Sequence, residues 1–201
     1  MAFLIPRLHD PLTGSVSIDG VDIRNISFQN LGRLVGVVTQ ETYLLHDTIK
    51  ENLRYGNPTA TDLQIEDASR AAAIHEHIAG LPDGYNTIVG ERGYKLSGGE
   101  KQRLAIARAL VKRPEIYVFD DSFSALDTAT DARLRAALRR EVTDATLIVV
   151  AQRVATVQDA DQIIVLDRGL VVGRGTHAEL LASNETYAEI VNSQLRAEVG
   201  A

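Results

Sequence analysis

The chain contains no cysteine, so disulfides, thiolate zinc sites and cysteine nucleophiles are excluded. No basic tract is present either. With 21 Lys and Arg against 27 Asp and Glu, the net charge is -6, which argues against a general nucleic-acid binder. Long apolar runs are also missing: the stretch 147–151 is far short of the roughly 18 residues that a membrane span needs. The apolar start Met1-Ala2-Phe3-Leu4-Ile5 is interrupted by Pro6 and Arg7, too early for a signal peptide. A cytosolic chain is therefore expected, with any membrane association supplied by a partner. There is no repeat and no low-complexity tract. The phosphate-loop pattern G-x-x-x-x-G-K-[ST] occurs nowhere.

What is present reads as one globular unit or two. At 201 residues, 45% of them hydrophobic, the chain can bury a sizeable core. Residues 1–8 read as the end of a buried helix, broken by the His9–Gly14 stretch. Residues 15–18 alternate like a strand, Asp19-Gly20 supplies a hairpin turn, and 21–23 continue the pairing. A helical turn at 28–31 precedes a buried strand at 34–38. The block 48–81 is helical and ends at Pro82-Asp83-Gly84. Further on come a helix over 100–111 stopped by Pro114, a strand at 116–119, a helix over 131–141, and strands at 146–151 and 162–166. Asp167-Arg168-Gly169 is a turn, Val171-Val172 a short strand, and a C-terminal helical region starts at His177. Strands alternating with helices imply an α/β fold with a parallel sheet built from crossovers, and 48–81 interrupts that alternation as an inserted helical subdomain.

The richest segment is YKLSGGEKQRLAIARALVKRPEIYVFDDSFSALD, residues 94–127. Leu96-Ser97-Gly98-Gly99-Glu100 places a hydroxyl and two unhindered backbones at a helix start, an anion site in the making. The strand 116–119 then delivers Asp120 and Asp121 to its C-terminal end, where open α/β sheets bind ligands. A plainer reading of Ser97 is a helix cap, and Asp120 and Asp127 also suit caps.

In order and spacing these residues resemble the nucleotide-binding domain of an ATP-binding-cassette (ABC) transporter of the exporter type. Leu96 to Glu100 resembles the signature, with Glu100 where glutamine is commoner. Ile116 to Asp120 resembles the Walker B strand and Ser124-Ala125-Leu126-Asp127 the D-loop. Gln40 sits at the Q-loop, and Thr87-Ile88-Val89-Gly90-Glu91-Arg92-Gly93 matches the segment that contacts the membrane domains. Ala151-Gln152-Arg153 falls at the switch region.

The resemblance implies a P-loop NTPase-like parallel sheet flanked by helices, incomplete at its N-terminus, with a helical subdomain over about 42–110. Residues 111–201 would hold Walker B, D-loop, switch region and C-terminal helices, the whole of 1–201 being a partial nucleotide-binding domain. ATP and Mg²⁺ are the implied ligands. Asp120 would hold the metal with Gln40, and Ser97, Gly98, Gly99, Glu100 and Asp127 would meet ATP held by an opposing domain. Glu91 and Arg92 would touch a membrane-domain helix; a polar strand end for Gln40 and a solvated pair for Glu91 and Arg92 are the simpler readings. The five histidines show no metal-ligand pattern and read as surface or capping residues.

Two catalytic positions depart from the family. Asp121 stands where glutamate is usual, shorter by one methylene, or roughly 1.5 Å, while a misplacement near 1 Å can cost about a hundredfold in rate. Gln152 stands where histidine is usual and cannot carry its charge or shuttle its proton. Both changes fall on the ATP site this chain would itself form, as in the degenerate site of a heterodimeric exporter. The expected partners are exporter membrane domains and a second, different nucleotide-binding domain, with no nucleic acid, at the cytoplasmic face of the membrane. In the family the phosphate loop would fall just before Met1. A chain without that loop and its central strand is expected to fold poorly and to be inactive alone. The alternatives are a non-hydrolysing signature donor, an inactive gene fragment, or a non-transport ABC protein of translation or DNA repair.

Overall fold

A computed structural model of the chain describes residues 2–91 and 93–199, the side chains of 128 and 197–199 excepted. Among these residues the chain forms two compact units, divided after Val150.

The first unit opens with a short 3-10 turn at Ala2–Leu4, not the helix end expected over 1–8. Pro6 has no N–H to continue a helix, and Arg7 turns the backbone to φ 55°. Strands β1 (Ser17–Ile18) and β2 (Val21–Asp22) then pair antiparallel. Their turn, Asp19-Gly20, has φ 49° and 79°, as a two-residue hairpin loop needs. Helix α1 (Phe28–Leu34), capped by Ser27, leads into β3 (Val35–Val38).

The helical block resolves into α2 (Ile49–Arg54), α3 (Asp62–Ala71) and α4 (His75–Ala79), capped at their starts by Thr48 for α2 and Thr61 for α3. Helix α5 (Gly98–Lys112) follows, capped by Ser97 and ended by Arg113 in the left-handed region. The sequence places its apolar residues broadly on one face. In the structure every residue from Leu104 to Val111 except Arg108 is buried, so α5 is a central helix covered on several sides.

Strand β4 (Ile116–Asp120), helix α6 (Thr128–Glu141) and strand β5 (Thr146–Val150) complete the unit. The sheet is parallel in the order β3-β4-β5, with Val38 opposite Phe119 and Asp120 opposite Val150. Alternation along β4 splits the core. Tyr117 and Phe119 join the large cluster that includes α3, α5 and α6, whereas Val118 packs with Ile23, Leu31 and Val35 on the other face. Pro114 lies against Gly36, where a Cβ would stand 2.7 Å from its ring.

The second unit holds α7 (Val154–Val157), β6 (Ile163–Asp167), β7 (Leu170–Gly175), α8 (His177–Ser183) and α9 (Glu185–Val199). The expected strand at 162–166 does not enter a parallel sheet here. It forms an antiparallel hairpin with β7 through Arg168 and Gly169, both at positive φ. Its core is Val154, Ile163, Val165, Leu180, Tyr187 and Val191.

Candidate functional site

The C-terminal end of the parallel sheet gathers three of the expected residues. Asp120 is the last residue of β4 and is partly exposed. The chain turns sharply at Asp121, whose φ of 47° lies in the left-handed region that aspartate tolerates better than most residues. The Asp121 N–H donates to the Val150 carbonyl at 2.9 Å, and its own carbonyl accepts from the Ser124 hydroxyl at 2.8 Å. Gln40, just beyond β3, donates from Nε2 to Asp121 Oδ2 at 3.2 Å. Two strand ends are thereby joined above the sheet. Ser122, which the sequence does not single out, is fully buried and donates to the Val38 carbonyl at 2.8 Å, fixing the same junction from below.

The expected signature residues lie at the start of α5, with Ser97 as its cap. The Glu100 N–H donates to Ser97 Oγ at 3.3 Å, while the Ser97 N–H donates to Glu100 Oε2 at 2.7 Å. The capping reading of Ser97 is therefore realised. It does not exclude anion binding, because Ser97 is exposed at the start of the helix, where backbone N–H groups lack helical acceptors. Burial raises the Glu100 pKa, but the two Ser97 contacts, His77 and Arg103 outweigh it and hold the carboxyl below its ordinary value. The carboxylate stays charged at neutral pH.

The segment around Ala125, expected as the D-loop, packs on this helix. A Cβ at Gly99 would stand 3.2 Å from the Ala125 carbonyl oxygen, and the Ala125 N–H donates to Gln102 Oε1 at 3.3 Å. Gln102 is 5% exposed, a polar residue inside the core with a backbone partner. Its only trace in the sequence is polarity amid the apolar residues of α5. Asp127 caps α6, accepting from the Thr130 N–H at 2.9 Å, and hydrogen bonds from Thr130 hold its carboxyl below the usual range.

Residues 87–91 and 93–94 lie back against the chain that follows Gln40. Thr48 bridges Ile88, Val89 bridges Tyr94, and the Val89 N–H donates to the Asp47 carbonyl at 2.9 Å. Gly90, at φ 100°, lies so close to His46 that a Cβ would meet its backbone at 2.9 Å. Together with the chain after Gln40 and the start of α5, this loop walls an open depression of about 330 Å³, lined by Tyr43, Leu44, Glu91, Tyr94 and Lys101 among others. Arg108, half-buried on α5, donates to the Tyr43 carbonyl at 3.3 Å, and burial lowers its pKa. Arg92 lies outside the described residues.

Gln152 belongs to the second unit. Its side chain is exposed, and its carbonyl accepts from Gln194 Nε2 at 2.7 Å. The histidines are more engaged than expected: His75 shares a 2.9 Å hydrogen bond with Tyr85, and His177 a 2.8 Å one with Tyr187. His77 Nδ1 lies 3.3 Å from Glu100 Oε1.

Among the described residues, no three His, Asp or Glu side chains converge to hold a metal by themselves. The donor set at Asp120 instead suits Mg²⁺, which takes one or two carboxylates and completes its shell with nucleotide phosphates and water. No described helix is long and apolar enough to cross a membrane.

A family model described as ABC transporter matches residues 2–124. Heavy metal tolerance factor 1 of Caenorhabditis elegans is 47% identical over 96% of this chain, which spans 24% of that protein. ATP-binding cassette sub-family B member 6 of Mus musculus is 47% identical over 93% of the chain, or 22% of its own length. Among solved structures, a bacterial Atm1-family ABC exporter with ATP bound superposes with a TM-score of 0.93 at 44% identity, covering 96% of this chain and 34% of that one. The chain therefore spans about a quarter to a third of the length of these relatives.

Proposed function

This chain belongs to the ABC transporter family, with the sequence and fold of an exporter's nucleotide-binding domain, and from that premise we propose that it couples ATP binding and hydrolysis to transport through membrane domains. It works opposite a different nucleotide-binding domain and serves that partner's ATP with its own signature. The observation that carries this is the start of α5. Ser97 is exposed, and Gly98 and Gly99 follow in the first helical turn, where backbone N–H groups have no helical acceptor. Spread negative charge on a terminal phosphate is met there without a full cation.

The residues for its own nucleotide are the weaker set. Asp121 is the residue placed to orient an attacking water, but its side chain is short, and Gln40 already donates to one of its oxygens. Gln152 carries an amide that does not ionise near neutral pH and so cannot relay a proton as an imidazole does. Mg²⁺, when bound with ATP, would be held by Asp120 and the free amide oxygen of Gln40, and would neutralise charge on the phosphates. The helical block, about 42–110, carries the depression beside Tyr43 and Tyr94, both exposed aromatics, and we assign it to a membrane-domain helix at the cytoplasmic face.

The test uses the assembled transporter. Ser97→Arg, which adds bulk and charge at the phosphate position, is expected to abolish most ATPase activity, whereas Asp121→Ala costs little. Comparable losses from the two changes overturn the asymmetric assignment.

A further inference from the structure

Asn52, on α2, is 1% exposed, yet both polar atoms of its side chain have partners. Those partners all lie in the loop 45–48. Oδ1 accepts from the Leu45 N–H at 2.9 Å, and Nδ2 donates to the Leu45 and Thr48 carbonyls at 3.0 Å each, with the Asp47 carbonyl at 3.4 Å. Only one orientation of the amide meets this set, because its oxygen accepts and its nitrogen donates. A buried amide is costly unless it is bonded in this way, so the loop is held from the core side by this side chain.

The held loop is in turn the seat of segment 87–91. The Val89 N–H donates to the Asp47 carbonyl at 2.9 Å, the Ile49 N–H donates to the Thr87 carbonyl at 3.0 Å, and Thr48 bridges Ile88. A Cβ at Gly90 would stand 2.9 Å from the His46 Cα, so the two stretches touch backbone to backbone. The depression is lined from both: Tyr43 and Leu44 lead directly into the loop, and Gly90 and Glu91 belong to the segment.

We infer that Asn52 is a positioning residue for this depression: by fixing loop 45–48 it makes the loop and segment 87–91 one platform, on which a membrane-domain helix moves together with α2. The inference rests on the assignment of the depression to such a helix and names the side chain that makes its floor rigid. Buried as it is, Asn52 meets neither the nucleotide nor the helix itself, and acts through the backbone of Leu45, Asp47 and Thr48. Without it the Leu45 N–H loses its acceptor, the loop loosens, and the Asp47 carbonyl no longer holds Val89 in a fixed place. Motion of the domain on binding ATP would then be absorbed in the depression before it reached the membrane.

The experiment is hydrogen-exchange mass spectrometry on the assembled transporter, with and without Mg-ATP, comparing wild type and Asn52→Ala, with KM for Mg-ATP measured in each. In the wild type, Mg-ATP is expected to change exchange at the cytoplasmic ends of the membrane-domain helices. Asn52→Ala is expected to cut that change by about half or more, and to raise exchange in 45–48 and 87–91 together by about tenfold, the size of a lost buried hydrogen bond. Exchange along β3 and β4, and KM, should stay as in the wild type, which a general loss of stability would not allow. Should Asn52→Ala fold poorly, Gly90→Ala parts the same junction from its other side, and the same paired rise is expected. A membrane-domain response in Asn52→Ala equal to that of the wild type overturns the inference. So does a rise confined to 45–48, since the two stretches are then not one platform, or a rise spread over the whole first unit. If the wild type shows no membrane-domain response at all, the docking assignment itself falls; if it responds and Asn52→Ala responds equally, only the role of Asn52 falls.

Discussion

Gln40 and Asp121, 81 residues apart in the chain, meet at 3.2 Å through the Gln40 side-chain amide and an Asp121 carboxylate oxygen. This contact occupies one oxygen of the residue proposed above as the base, on a side chain one methylene shorter than glutamate. Changing Asp121→Glu together with Gln152→His is therefore expected to raise turnover at this domain's own site by about tenfold or more, through better positioning and restored proton handling. The measurement is single-turnover hydrolysis in a transporter whose other ATP site is disabled. Equal rates for wild type and double variant would refute it.

Gln102 ties the D-loop to the signature helix through one hydrogen bond to the Ala125 N–H. Gln102→Ala leaves that donor without its partner and is expected to lower stability by about 1–3 kcal/mol in urea unfolding. Gln102→Glu keeps an acceptor at the same reach and should retain ATPase activity better than the alanine variant. The reverse ranking would show that the contact does not set the loop.

Two glycines make a paired test of packing. At Gly56 a Cβ would stand 2.4 Å from the Arg108 backbone oxygen, so Gly56→Ala is expected to destabilise the helical block by about 1–3 kcal/mol. Gly32 lies inside α1 with nothing within 4 Å of its Cβ position. Gly32→Ala is expected to stabilise by up to about 1 kcal/mol, from helix propensity alone. Opposite signs in thermal unfolding are the predicted result.

Asp22 accepts from the Arg24 side chain and backbone, and these hydrogen bonds lower its carboxyl from 3.8 to about 2. A carboxyl depressed on folding adds stability that is fully present above 3.8 and is lost as the pH falls through about 2. NMR titration of the Asp22 carboxyl carbon should give a midpoint near 2, moving back toward the ordinary value in Arg24→Ala. A midpoint near 3.8 in the wild type would contradict the pairing.

Much of this was legible in the residues because its causes are local. Asp19-Gly20 spells a hairpin turn, Pro114 ends α5, and an unbroken apolar run ending in Asp120 marks a buried parallel strand. The block at 48–81 reads as helical, but its inner breaks are less visible. Pro58 explains one, whereas Ala73 takes a φ of 55° at a position where nothing in an alanine announces it. What stayed hidden is long-range. Ser122 could have bonded many carbonyls, and only packing selects Val38, 84 residues away. The Arg108 contact to the Tyr43 carbonyl and the Gln102 contact to Ala125 are invisible for the same reason. His77 read as a surface residue because its counterpart, Glu100, lies on another helix.

Helix α5 carries the signature serine at one end, and at the other the Lys112 ammonium donates to the Val35 carbonyl at 2.6 Å at the base of the sheet. Between them Arg108 grips the chain beside the depression. Fifteen residues at about 1.5 Å each make a rod of roughly 22 Å, and its buried sides leave it little room to bend. Such a rod is a lever with its fulcrum near the sheet. A push at the Tyr43 side that tilts it by about ten degrees would sweep Ser97 through about 4 Å, more than the length of a hydrogen bond. A modest displacement at the depression is thus enough to move the serine hydroxyl into or out of reach of the phosphate it is proposed to meet.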